Sequence, residues 1–114
     1  MEPGVEGARP HIHKQLVEMC YVADGEIELL LDWRKVLASP GTFMLVPENT
    51  PHGFSNPGQR HAKLLIMFCP ADSREKYFEG MSELTKGGRV PSQEELTELM
   101  LKFDQYLVPY PTLT

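Results

Sequence analysis

From His11 to Gly25 the chain reads His-Ile-His-Lys-Gln-Leu-Val-Glu-Met-Cys-Tyr-Val-Ala-Asp-Gly. In an extended strand, residues i and i+2 point to the same face, so His11 and His13 can bring both imidazoles to one point. Glu18 follows in the next apolar run, on the face that alternation gives to Leu16, Cys20 and Val22. A carboxylate on a mostly apolar face needs a partner, because burying a lone charge is costly. A metal ion is one such partner. Imidazoles with a carboxylate suit zinc, iron, manganese, nickel or copper better than calcium or magnesium. Each piece taken alone also has a plainer reading. His11 and His13 could be a surface pair, Glu18 an edge-strand charge, and His52 the end of a turn after Pro51.

Outward from this stretch, short apolar runs separated by turn residues continue to Pro70. That is the pattern of an all-β sandwich or barrel. Strands are predicted near 8–14, 16–23, 26–31, 34–38, 42–46, 51–55 and 62–69. Asp24-Gly25 reads as a hairpin turn, since both residues tolerate positive φ, and Asp32-Trp33 as a second turn. Pro40-Gly41, Pro47 to Pro51 and Asn56 to Gly58 punctuate the rest.

Past Pro70 the apolar period lengthens to that of a helix. Residues 72–85 can carry Tyr77, Phe78, Met81 and Leu84 on one side. A second helix is signalled by Ser92 and Glu95 as a capping box behind Pro91. Leu96, Leu99, Met100 and Phe103 then form a stripe, expected to cover a sheet face or a partner subunit. Lys86 to Arg89 links the helices, and 108–112 should be irregular. The chain thus divides into a barrel over 1–70 and a helical extension over 71–114.

The 114 residues suit one domain, with 41% apolar and 24% charged residues as in ordinary globular proteins. A net charge of −5 with no basic stripe argues against nucleic acid as a partner. No apolar run approaches the ~20 residues that span a bilayer, and the start lacks the plan of a signal peptide. A cytoplasmic protein with free thiols at Cys20 and Cys69 is expected.

Two spaced motifs resemble those of the cupin superfamily. The first is His11-Ile-His13, four residues, Glu18, six residues, Gly25. The second is Gly41, five residues, Pro47-Glu48-Asn49, two residues, His52, three residues, Asn56. Asn49 stands where the family pattern has glycine, and asparagine is the next most tolerant residue at positive φ. The resemblance implies a double-stranded β-helix, or jelly roll, with His11, His13, Glu18 and His52 holding one divalent transition metal: iron, manganese, nickel, copper or zinc. His61 is left as a surface residue. Finer features are similar to small cupins labelled quercetin-dioxygenase-like, although Val17 replaces an acidic residue common there.

That resemblance implies a metal-dependent dioxygenase acting on a small phenolic or enediol substrate, with Glu18 both ligand and proton acceptor. The alternative is a non-catalytic small-molecule-binding cupin with a structural metal. Parity with Glu18 places Cys20 and Val22, and parity with His52 places Phe54, as candidate pocket residues. About seven strands are predicted where a jelly roll has eight. An open sheet edge invites pairing, so a homodimer covering that edge is expected.

Overall fold

Each of the seven apolar runs forms a strand in the structure, a computed structural model that describes residues 1–71 and 73–111. They are β1 (Glu6–Ile12), β2 (Val17–Asp24), β3 (Ile27–Leu31), β4 (Arg34–Ala38), β5 (Phe43–Val46), β6 (His52–Ser55) and β7 (Lys63–Cys69). Two helices follow, α1 (Arg74–Leu84) and α2 (Gln93–Lys102), and then β8 (Tyr106–Leu107). Asp72, inside the first predicted helix, and Thr112, at the end of the predicted tail, lie outside the described residues.

The strands form two sheets of a jelly roll, in the orders β4-β3-β6-β1-β8 and β5-β2-β7. Period-two alternation gives each sheet an apolar inner face. Between the sheets lie Cys20, Val22, Ile27, Leu29, Ala38, Met44, Val46 and Ala62, all buried.

Asp24-Gly25 turns the chain as expected, with Gly25 at φ 72°. A Cβ there would lie 2.6 Å from the His61 carbonyl oxygen, so glycine is required by contact as well as by φ. The turn is not a hairpin, however. β2 pairs with β5 and β7, whereas β3 pairs with β4 and β6. A turn signal reports local backbone conformation, and here it carries the chain from one sheet to the other. Asp32 and Trp33, at φ 49° and 65°, do close the β3–β4 hairpin. Asn49 takes φ 59°, as its place in the second motif required.

The count of seven strands needs correction. After α2 the chain returns to β1, where Leu107 pairs with His11 and Tyr106 with Ile12. β8 is two residues long and has no alternation to announce it. The C-terminal end of the β1 edge is therefore covered by this chain's own C-terminal segment.

The helices are seated by specific contacts. Ser92 Oγ accepts from Glu95 N–H and the Glu95 carboxylate accepts from Ser92 N–H, the predicted capping box. Gly80 lets the helices approach closely, since a Cβ there would lie 2.6 Å from Leu99 Cδ1. Buried Arg74 donates to the Phe103 carbonyl and to Gln105 Oε1, both at 2.9 Å. Its guanidinium also lies 4.7 Å from the Phe68 ring centre and 4.3 Å from that of Tyr77. These contacts tie the start of α1 to β7 and to the segment after α2.

Candidate metal centre

The four residues singled out from sequence come together from both sheets. His11 and His52 are directly paired across β1 and β6, which sets their rings 4.2 Å apart. His13 lies just beyond the end of β1, with its ring centre 4.9 Å from that of His11 and 5.1 Å from that of His52. Glu18 reaches in from β2 of the opposite sheet. All four are at most 3% exposed, and one ligand atom from each lies within 4.8 Å of the others.

The hydrogen bonds decide which ring nitrogens face the centre. His11 Nδ1 is 2.7 Å from the Arg9 carbonyl oxygen, His52 Nδ1 2.9 Å from that of Thr50, and His13 Nδ1 2.7 Å from that of Asp104. A carbonyl oxygen only accepts, so each Nδ1 carries a proton, and a ring in its neutral form presents its lone pair on Nε2. The buried Nε2 atoms of His13 and His52 make no well-aligned hydrogen bond. They lie 3.4 Å and 3.2 Å from the two carboxylate oxygens of Glu18. With the rings neutral, their Nε2 lone pairs and the Glu18 carboxylate converge on one point inside the barrel, where a cation would satisfy them. The buried His/His/Glu/His cluster fits a divalent metal site.

The titration behaviour follows from the same crowding. Burial, reinforced by His52, depresses the His11 pKa from its ordinary 6.5 to about 3. Burial alone would raise the Glu18 pKa, but contacts with His13 and His52 outweigh it and hold the carboxyl well below its usual range. Cys20, whose Sγ lies 3.5 Å from Glu18 Oε2, is pushed up by burial and by that negative charge.

Residues 1–68 match the cupin domain family. The chain belongs to the cupin family. This cupin is 36% identical over 55 residues to acetate kinase EutQ of Clostridioides difficile, covering 48% of this chain and 34% of that protein. It is 34% identical over 58 residues to quercetin 2,3-dioxygenase of Bacillus subtilis, covering 51% of this chain and 17% of that protein. It thus spans about a third and about a sixth of these two relatives. Among solved structures, a sugar phosphate isomerase of the cupin superfamily from Silicibacter pomeroyi superposes with a TM-score of 0.56 at 26% identity, covering 60% of this chain and 45% of that one.

The buried His/His/Glu/His cluster opens onto a cavity of about 370 Å³, with His11 and Glu18 in its wall. Phe54 is in that wall as well. Cys20 and Val22 lie deeper, fully buried in the core and outside the cavity wall. They share a face with Glu18, but that face turns from cavity wall to core along β2. His61 is exposed.

Two features escaped sequence reasoning. One is the helical wall of the cavity, which Phe78, Met81, Leu96 and Met100 build together; the stripe was legible but not what it would enclose. The other is Asp104. Its carbonyl orients His13 across a separation of 91 residues, and its carboxylate accepts from the backbone N–H groups of Lys14 and Gln15. No local pattern signals a contact that distant. Among the described residues, no helix is long and apolar enough to cross a membrane.

Proposed function

We propose that this cupin holds one divalent transition metal on His11, His13, Glu18 and His52 and acts as a dioxygenase on a small phenolic or enediol substrate bound in the adjoining cavity. The observation that carries this reading is the meeting of the ligand cluster with the cavity. His11 and Glu18 belong to both, so a molecule in the cavity reaches the metal position directly. Phe54, Phe68, Tyr77 and Phe78 line the same space and favour a flat, aromatic or unsaturated ligand. The similarity to the Bacillus subtilis dioxygenase supports the choice of reaction class.

A bound metal of this kind would supply Lewis acidity toward a substrate oxygen and electron transfer with dioxygen. The chain's own residues supply the setting. The three imidazoles are fixed by carbonyl acceptors, so each keeps its Nε2 directed inward. Glu18 would serve as a ligand to the metal, and its carboxylate would also accept the proton of a substrate hydroxyl. The aromatic walls stack on the substrate ring and exclude water. The free Cys20 and Cys69 support a reducing, cytoplasmic setting.

A second reading, small-molecule binding without turnover and with a structural metal, has one specific observation in its favour. Beyond the ligands, ionisable groups in the cavity wall are few, and Glu6 there is paired with Arg9 at 3.6 Å on the exposed rim. Arg74 is engaged with Phe103 and Gln105, and burial pushes the Tyr77 hydroxyl pKa up. Oxygen uptake by protein loaded with iron, manganese, nickel or copper separates the two, measured with flavonols, catechols and enediols. Turnover with at least one metal is expected. Tight binding of one of these compounds without oxygen uptake under any metal would favour the second reading.

A further inference from the structure

Arg74 places a buried positive charge in the cavity wall, outside the His/His/Glu/His cluster. It lines the same space as His11 and Glu18 and is 5% exposed. The other arginine of this wall, Arg9, sits on the exposed rim, 3.6 Å from Glu6. Among the described residues of the wall, Glu18 thus supplies the buried carboxylate and Arg74 the buried guanidinium. A guanidinium stays protonated at any working pH, so this charge is permanent and takes no part in proton transfer.

The guanidinium is held in a fixed place. It donates to the Phe103 carbonyl and to Gln105 Oε1, and it lies 4.3 Å, 4.7 Å and 5.5 Å from the ring centres of Tyr77, Phe68 and Phe78. Each of these partners is neutral: it fixes the position of the charge without changing its sign. In a low-dielectric wall such a charge attracts an anion across several ångströms, beyond the hydrogen bonds it already makes. Phe68 neighbours both polar groups of the cavity. Its ring centre is 6.1 Å from that of His13 as well as 4.7 Å from the guanidinium carbon of Arg74.

We propose that the cavity takes a hydroxylated aromatic or unsaturated carboxylate, and that Arg74 selects it by receiving the carboxylate. A flat group can lie along Phe68, with its hydroxyl end at the clustered ligands and its anionic end toward Arg74. One cation among apolar residues such as Ile66, Leu96 and Met100 suits a single negative charge better than the double charge of a phosphate monoester. The choice of a hydroxyl for the first end rests on the metal-dependent reading above; the carboxylate end stands on Arg74 alone. Arg74 acts here as a specificity residue, which is a role beyond tying α1 to the segment after α2.

The test is calorimetric binding of protocatechuate and of its neutral amide, which has the same shape, to the full chain loaded with zinc. Zinc has no redox chemistry, so binding is read without turnover. The acid should bind at least about 10-fold more tightly than the amide. Benzoate and benzamide on the metal-free chain repeat the comparison without the metal end and should show the same order. In Arg74→Met the preference should fall to within about twofold, with the affinity for the amide kept. Arg74→Lys, which retains the charge, should retain part of the preference, and Arg9→Gln on the rim should retain all of it. Circular dichroism verifies folding, and the acid–amide comparison on the unmodified chain requires no variant. Equal affinity for acid and amide there would overturn the proposal. So would a preference that survives Arg74→Met or vanishes with Arg9→Gln. An Arg74-dependent preference without oxygen uptake under any metal would sink the dioxygenase reading and leave this one standing. Turnover of catechol with no preference for the acid would do the reverse.

Discussion

Replacing Asp104 by alanine should weaken both the fold and the metal centre. The carboxylate accepts from Lys14 N at 2.9 Å and 3.1 Å and from Gln15 N at 2.7 Å, while the Asp104 side of this contact is only 8% exposed. Hydrogen bonds to a charged group contribute about 1.5–3 kcal/mol each. Losing the two donors' shared acceptor should therefore cost roughly 3 kcal/mol. Asp104 also sits at φ 55°, where alanine adds about 1 kcal/mol of strain. Together these should lower the Tm of the metal-free protein by at least about 10 °C. The backbone carbonyl that accepts from His13 survives the substitution, but the turn holding it against Lys14 and Gln15 loosens. Loss of such an orienting partner typically weakens metal affinity about 10–100-fold. Asp104→Asn keeps an acceptor oxygen and tolerates the left-handed backbone, so it should lose less than half as much on both counts. Competition with a chromophoric chelator reads the affinity, and thermal unfolding with and without metal reads the stability. If Asp104→Ala loses stability but binds metal within about twofold of the parent, the C-terminal segment does not position His13.

Three further outcomes follow from the structure. Glu18→Gln removes the negative charge that the three imidazoles surround, and calorimetry should show at least a roughly 100-fold loss of affinity for a divalent metal. The metal-free protein should lose stability in acid. The folded-state pKa of His11 is depressed from 6.5 to about 3, so the unfolded chain binds more protons across that window. Stability then falls as pH drops through it, by up to about 1.4 kcal/mol per pH unit, and the depressed Glu18 acts in the same direction below pH 4.5. Chemical denaturation of the metal-free protein at a series of pH values checks the slope; a flat profile from neutrality to pH 4 would contradict it. Ser92→Ala breaks the capping box of α2 and should cost about 1 kcal/mol in thermal unfolding, with metal affinity unchanged because the cap is exposed and its hydrogen bonds involve none of the four clustered residues.

The barrel was legible because alternation and turn chemistry are local signals. Val17 to Asp24 and Lys63 to Cys69 needed no tertiary information to be read as strands, and neither did the Ser92–Glu95 cap. The gathering of His11, His13, Glu18 and His52 was legible through spacing, since each matches a place in a known motif. What stayed hidden was long-range. Asp24-Gly25 looked like a hairpin because a glycine at positive φ does not say which strand pairs with which. Tyr106–Leu107 looked like tail because two residues carry no period. Asp104 looked like any residue after a helix, although its carbonyl fixes His13. Cys20 and Val22 shared parity with Glu18, but parity assigns a face and not a depth.

Metal analysis of protein purified without a histidine tag tests the central claim most directly. Converging Nε2 lone pairs around a buried carboxylate should hold close to one equivalent of a divalent transition metal, either as purified or after its addition to the metal-free protein. Less than about a tenth of an equivalent, with no uptake on addition, would contradict the metal centre outright.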